Sequence, residues 1–166
     1  MHLRLDRLIF VPAGVQPLKP DAAGATGPQR LAMVRAMVAG MPAFDVSSLE
    51  VDRPGLSFTV DTVRHFATQF PAAERFLLLG ADVLPTFAQW RDPVEIVRLA
   101  KPVVLVRGTA EHIPAELAGA PLTTLATRRV DVSSTEIRER VRGGQPLRGF
   151  VTDGVADLIA RDGLYR

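Results

Sequence analysis

Three short runs, Leu8-Ile9-Phe10-Val11, Phe76-Leu77-Leu78-Leu79 and Val103-Val104-Leu105-Val106, carry no polar side chain. They limit the possible folds more than any other feature of the chain. Each is bounded by a breaker: Pro12 and Gly14 follow the first, Gly80 follows the second, and Pro102 precedes the third. A strand apolar at every position needs cover on both faces, which a parallel sheet between helices provides. The first strand is expected over Leu8–Pro12, the next over Phe76–Gly80 and another over Pro102–Val106.

Between these runs the apolar residues take helical spacing. From Pro28 to Val38, Leu31, Val34, Met37 and Val38 line one stripe, with Gly40 as the stop. Thr59 is placed to cap a helix whose buried stripe is Val60, Val63, Phe66 and Ala67, closing near Pro71. Val83 to Trp90 suggests a short helix. Asp92-Pro93 supplies an N-cap and a first-turn proline for a helix through Leu99. A last helix over Val155–Ala160 ends at Gly163. Phe44 to Val51 alternates apolar and polar and reads as a strand near an edge, with one solvated face. The segment from Gly108 to Thr127 shows no clear pattern. Strands alternating with helices give an α/β fold with a largely parallel sheet. At 166 residues and 47% apolar composition, one domain over 1–166 is expected.

Without cysteine the chain has no disulfide framework, thiolate zinc site or cysteine nucleophile. No apolar run approaches a bilayer span, and residues 1–7 lack the apolar core of a signal peptide, so a cytoplasmic setting without membrane contact is expected. Twenty Lys and Arg nearly balance eighteen Asp and Glu. With no basic tract interleaved with aromatics, nucleic acid is not an expected partner.

The stretch Val130 to Gly144 joins a short apolar strand to an arginine-faced helix through Ser133-Ser134-Thr135. Ser133 can accept from the main-chain N–H near Glu136, and Glu136 stands where a capping box requires it. The helix start then offers N–H groups and a positive dipole end, with Arg138 one turn in, which suits a phosphate. An ordinary strand–cap–helix junction would use the same residues. Gly80-Ala81-Asp82 follows a strand directly, where glycine admits a ligand to the backbone and a carboxylate can accept from ribose hydroxyls; a plain turn has the same composition. Ala13 to Ala25 reads as a mobile loop over a site, with Lys19 its basic residue. Ligands in parallel sheets bind at the carboxyl ends of strands, which Lys19, Asp82 and Ser133 all follow, so one crevice could gather them. Trp90, the only tryptophan, lies between Gln89 and Arg91 beside a short helix, a position that suits partial exposure.

Taken in order, Phe10-Val11-Pro12 with Gln16 to Lys19, Ser57 to Thr62, Gly80-Ala81-Asp82 with Trp90, Val132 to Arg138, and Gly163-Leu164-Tyr165-Arg166 resemble bacterial nicotinate-nucleotide adenylyltransferase over Leu5 to Arg166. The resemblance implies a Rossmann-like doubly wound sheet with helices on both faces. It implies transfer of AMP from ATP to nicotinate mononucleotide with Mg²⁺ present, releasing pyrophosphate and making a precursor of NAD. By motif, Ser133, Ser134 and Arg138 would hold the ATP phosphates, and Gly80 and Asp82 would meet the adenosine ribose. Thr59 would bind the nicotinate carboxylate through the main chain and Trp90 would stack on the ring. Lys19 would reach phosphate from its loop, and Arg107, after its strand, would assist.

Two departures accompany the resemblance. Leu18 stands where the family places a ring before the lysine. The family's opening strand, its glycine-rich turn and a helix bearing His-x-Gly-His have no counterpart, and His2, His65 and His112 sit in other contexts. The implied chain begins near the end of the family's first helix, with its central strand missing between Leu8–Pro12 and Phe76–Gly80. Weak or absent turnover is then expected, as is either a gap between those strands or direct pairing that distorts the crevice, with unpaired edges that favour a homo-oligomer. The competing functions are a catalytically impaired nucleotide-binding protein of the same fold and a related nucleotidyltransferase with another acceptor.

Overall fold

The computed structural model describes residues 3–17, 24–106, 122–127 and 130–166. Its chain forms two compact units, one of Met1–Leu3 with Phe58–Arg129 and one of Arg4–Ser57 with Val130–Arg166. Each carries its own sheet, and every strand pair is parallel.

In the Phe58–Arg129 unit the order is α3 (Thr59–Gln69), β3 (Phe76–Gly80), a 3₁₀ helix (Ala81–Gln89), α4 (Pro93–Leu99), β4 (Lys101–Val106) and β5 (Thr123–Ala126). The sheet runs β3-β4-β5, with Leu78 opposite Val103 and Val103 opposite Thr123. β4 has a neighbour on each side and is the most buried strand, whereas β3, at an edge, is half-buried despite its apolar sequence. The core gathers Val60 of α3, Leu79 of β3, Leu84 and Phe87 of the 3₁₀ helix, Ile96 of α4, and Val104 and Val106 of β4. In α3, Val60 and Val63 of the stripe its spacing predicts are buried.

The other unit contains β1 (Leu8–Phe10), α1 (Gly27–Val38), β2 (Phe44–Val46), α2 (Leu49–Asp52), α5 (Ser134–Arg142) and α6 (Asp153–Arg161). β1 pairs with β2, Ile9 opposite Asp45. The strands at Leu8 and Phe76 belong to different sheets. α1 starts in a full capping box between Thr26 and Gln29, and α6 packs near it through Gly154, where an added Cβ would come 3.4 Å from the Ala36 methyl. Ala25, Ile137, Val155, Ile159 and Leu164 form the core there. Arg30 on α1 fastens the chain after β1, donating from Nη2 to the carbonyls of Ala13 at 2.5 Å and Gly14 at 2.6 Å, and from Nη1 to that of Ala25 at 2.6 Å.

Three expectations are corrected. The alternating run from Phe44 is a strand only to Val46. Ser47 Oγ accepts from Leu49 N–H at 3.3 Å and Ser48 Oγ donates to Asp52 at 2.6 Å, so local hydroxyl bonds turn the second half into α2. Thr59 is not a cap: Phe58 takes the N-cap position in extended conformation and Thr59 is the first helical residue. Val130 to Val132 joins no strand among the described residues, and Val130 is exposed. β5, in turn, lies in the segment that shows no clear pattern in the sequence.

Candidate functional site

Of the expected helix start, the Ser133 cap forms. Ser133 is the N-cap of α5 in extended conformation (φ −122°, ψ 153°), and its Oγ accepts from Glu136 N–H at 3.1 Å. Ile137 is buried beneath and fixes the helix on its core, so Ser133 and Ser134 stay exposed at the tip. Arg138, half-buried, donates from Nη2 to Thr135 Oγ1 at 3.2 Å, which turns its guanidinium toward the same end of the helix. Arg140, two residues on, is used differently: it lies 3.8 Å over the Phe150 ring and donates to the Pro146 carbonyl at 3.1 Å. Hydroxyls, helix N–H groups and a guanidinium are the donor types an anion requires.

Gly80 and Asp82 also come together. Gly80 ends β3 and is the N-cap of the 3₁₀ helix, and the Asp82 carboxylate folds back over it, occupying the space a Cβ would need. Asp82 is exposed, so its oxygens face solvent at the carboxyl end of the strand, where hydroxyl donors can reach them.

Thr59 and Trp90 stand on different elements of that unit. Because Thr59 is the first residue of α3, its main-chain N–H is among those a helix start leaves without an intrahelical acceptor. Trp90 closes the 3₁₀ helix, its N–H donating to the Phe87 carbonyl at 3.0 Å, and its half-buried indole meets the Phe87 ring at 5.2 Å and 40°. The indole is therefore packed on Phe87 and still partly exposed, as the sequence position suggests.

A charged network lies beside these two residues. Arg91 sits 4.8 Å over the Phe58 ring and 3.9 Å from Asp61, while Arg64 of α3 reaches Asp61 at 3.6 Å, Asp92 at 2.6 Å and Glu95 at 3.7 Å. Arg98 closes on Glu95 at 2.6 and 2.7 Å, and its hydrogen bonds, then its charge and that of Arg64, hold the Glu95 carboxyl below its ordinary range, with desolvation acting in the opposite sense. Asp92 has the expected N-cap position of α4, but its side chain makes no capping bond and goes to Arg64 instead. Sequence pattern could signal the Asp61–Arg64 pair by its helical spacing; nothing in it links Arg64 to Asp92.

Lys19 and Arg107 lie outside the described residues. Among the described residues no group of three or more His, Asp or Glu is placed to hold a metal ion. No described helix is long and apolar enough to cross a membrane. An apolar hollow of about 430 Å³ lies elsewhere, against Met33, Met37, Phe150 and Val155, and holds none of the candidate residues.

Residues 2–140 match the family described as cytidylyltransferase-like. The chain is similar to a probable nicotinate-nucleotide adenylyltransferase of Gemmatimonas aurantiaca, 46% identical over 170 residues that span 99% of this chain and 80% of that one. It is 42% identical to a protein of the same name from a Roseiflexus species, over 99% of this chain and 85% of the relative. Among solved structures it is similar to Plasmodium falciparum nicotinic acid mononucleotide adenylyltransferase complexed with NaAD, with a TM-score of 0.75, 15% identity, and coverage of 96% of this chain and 82% of that one. At that identity the likeness speaks for the fold alone.

Proposed function

The chain belongs to the nicotinate-nucleotide adenylyltransferase family within the cytidylyltransferase-like proteins, and from that premise we propose that it transfers AMP from ATP to nicotinate mononucleotide. In this reaction a phosphate oxygen of the acceptor forms a bond to the α-phosphorus of ATP, the bond from that phosphorus to the β-bridging oxygen breaks, and pyrophosphate departs. The observation that carries the reading is the start of α5, where the Ser133 cap and the Arg138 side chain gather donors at one helix end.

Ser133, Ser134 and Arg138 bind phosphate oxygens, where a planar guanidinium gives directed, charge-assisted hydrogen bonds. Gly80 lets the adenosine approach the main chain, and Asp82 accepts from its ribose hydroxyls. Thr59 offers its main-chain N–H to the nicotinate carboxylate and Trp90 stacks on the pyridine ring. Lys19 and Arg107 add cationic contacts to phosphate. Mg²⁺ enters as the partner of ATP, supplying charge neutralisation on the phosphates. The described residues offer no acidic cluster for it, so no step is assigned through a protein-held ion. The setting is cytoplasmic, and the apolar edge strands favour a homo-oligomer.

The test is pyrophosphate release by this chain with ATP and nicotinate mononucleotide, beside ATP and nicotinamide mononucleotide. Faster release with the nicotinate acceptor is expected. Release only with a different acceptor would assign another nucleotidyltransferase reaction.

A second reading is nucleotide binding with impaired turnover. It is favoured by His65, whose ring is spent edge-on against Phe66. Absence of even one preorganised donor at a transferring phosphate costs about 10²–10³ in rate. Saturable binding of both substrates without pyrophosphate release would favour it.

A further inference from the structure

The segment Trp90-Arg91-Asp92 carries the chain from the 3₁₀ helix into α4, and its last residue is in an unusual state. Asp92 has φ 53° and ψ 57°, a left-handed conformation in which Cβ crowds the backbone. Pro93 follows it, and a proline disfavours the right-handed helical region for its predecessor. Aspartate at an N-cap ordinarily spends its carboxylate on the helix N–H groups. Here that bond is forgone, and the carboxylate accepts from Arg64 Nη2 at 2.6 Å.

Arg64 is one turn and a half into α3, the helix that begins at Thr59. Its guanidinium also faces Asp61 on its own helix and Glu95 on α4, while Arg91 reaches Asp61 from the connecting segment. Arg91 and Asp92, the two residues after Trp90, are thus both tied to α3. The indole of Trp90 is fixed on its other side by Phe87 and the core. Two anchors on one short segment determine where the ring stands relative to the helix start.

We propose that Arg64 is a positioning residue for the acceptor ring: by holding Asp92 in its left-handed conformation against α3, it fixes the Trp90 indole relative to Thr59. Arg64 has this role only if Trp90 and Thr59 contact the acceptor, as proposed above. The guanidinium is suited to it because its planar fork engages three carboxylates from separate directions, which a lysine ammonium cannot match with fixed geometry.

The experiment uses the full chain with Arg64→Ala, Arg64→Lys, Trp90→Ala, and Arg64→Ala combined with Asp92→Gly. Calorimetry gives the Kd of nicotinate mononucleotide and of ATP, and the single tryptophan reports its own environment through emission wavelength and acrylamide quenching without any ligand. Arg64→Ala is expected to weaken nicotinate mononucleotide by about threefold to tenfold, the ratio that two or three surface ion pairs support. ATP affinity stays the same, Trp90 emission moves to the red, and Arg64→Lys recovers only part of both changes. Glycine adopts the left-handed conformation without a clamp, so adding Asp92→Gly to Arg64→Ala brings no further loss. Unchanged emission and unchanged acceptor affinity in Arg64→Ala overturn the proposal, as does equal weakening of ATP. Acceptor binding that is lost in Trp90→Ala but kept in Arg64→Ala overturns the clamp alone. Acceptor binding indifferent to Trp90→Ala overturns the reading of the ring site, and the positioning role with it.

Discussion

The guanidinium carbon of Arg140 stands 3.8 Å from the centre of the Phe150 ring, while Arg138, one side-chain row away on the same helix, turns to Thr135 at the helix start. Two arginines two residues apart therefore have separable roles. Arg138→Ala is expected to weaken pyrophosphate and ATP binding by about 1.5–3 kcal/mol, the range for hydrogen bonds to charged groups, with incomplete rescue by lysine. Arg140→Ala should instead lower stability by about 0.5–1 kcal/mol through the lost cation–π contact and leave both affinities alone. Titration calorimetry alongside thermal unfolding separates the two; equal nucleotide affinities in both variants would remove Arg138 from the phosphate site.

Trp90 supplies a reporter already in place. Nicotinate mononucleotide is expected to quench its fluorescence saturably, and Trp90→Ala to weaken that ligand by about 1–3 kcal/mol, as for a base stacked on an aromatic ring. Trp90→Phe should retain the packing on Phe87 and part of the affinity. A fluorescence signal indifferent to saturating ligand would place the ring elsewhere.

Gly14 is a steric requirement. A Cβ there would collide with the main-chain oxygen of Glu50 and come within 3.0 Å of Ser57 Oγ, which now accepts the Gly14 N–H at 3.0 Å. Gly14→Ala must push backbone rather than a flexible side chain, so a loss of about 1–3 kcal/mol is expected from urea unfolding. An unchanged midpoint would mean the Ala13–Val15 segment moves aside freely.

Glu95 gives a pH dependence of known sign. The hydrogen bonds from Arg98 lower its carboxyl below the ordinary value of 4.5 in the folded protein. Its contribution to stability is therefore complete above that value and lost as pH falls through the lower folded one. Glu95→Gln should reduce stability near neutral pH and flatten the acid limb of the unfolding curve. A variant with an acid limb parallel to the parent would rule out this linkage.

The sequence reveals what depends on local chemistry and hides what depends on distant partners. The strands at Leu8, Phe76 and Val103 are legible from their apolar runs, although only the last is covered on both sides, and the Ser133 cap is legible because its donor lies three residues away. β5 escapes notice because Thr123-Thr124-Leu125-Ala126 is mostly small and polar, half exposed at a sheet edge, and takes its register from β4. Thr59 looks like a cap by composition, yet Phe58, packed against the core, fixes the helix entry one residue earlier. The Arg64–Asp92 bond spans 28 positions and follows no periodicity, so only the fold brings it into view.

The 3₁₀ helix from Ala81 to Gln89 has a further consequence, since runs of that form beyond three or four residues are uncommon. Pro85 lies inside it, and a proline ring clashes with the carbonyl four residues earlier in an α-helix, so the tighter and longer-rising 3₁₀ winding is retained. A 3₁₀ helix rises about 2.0 Å per residue against about 1.5 Å for an α-helix. Over nine residues the difference is about 4.5 Å. With Asp82 at one end and Trp90 just past the other, the element behaves as a ruler whose length is set by its pitch, and Pro85 is the stop that keeps it at full extension. Pro85→Ala is expected to free the segment to rewind and draw Trp90 toward Asp82, so the spacing between the proposed ribose and ring contacts is written in one proline rather than in the number of residues.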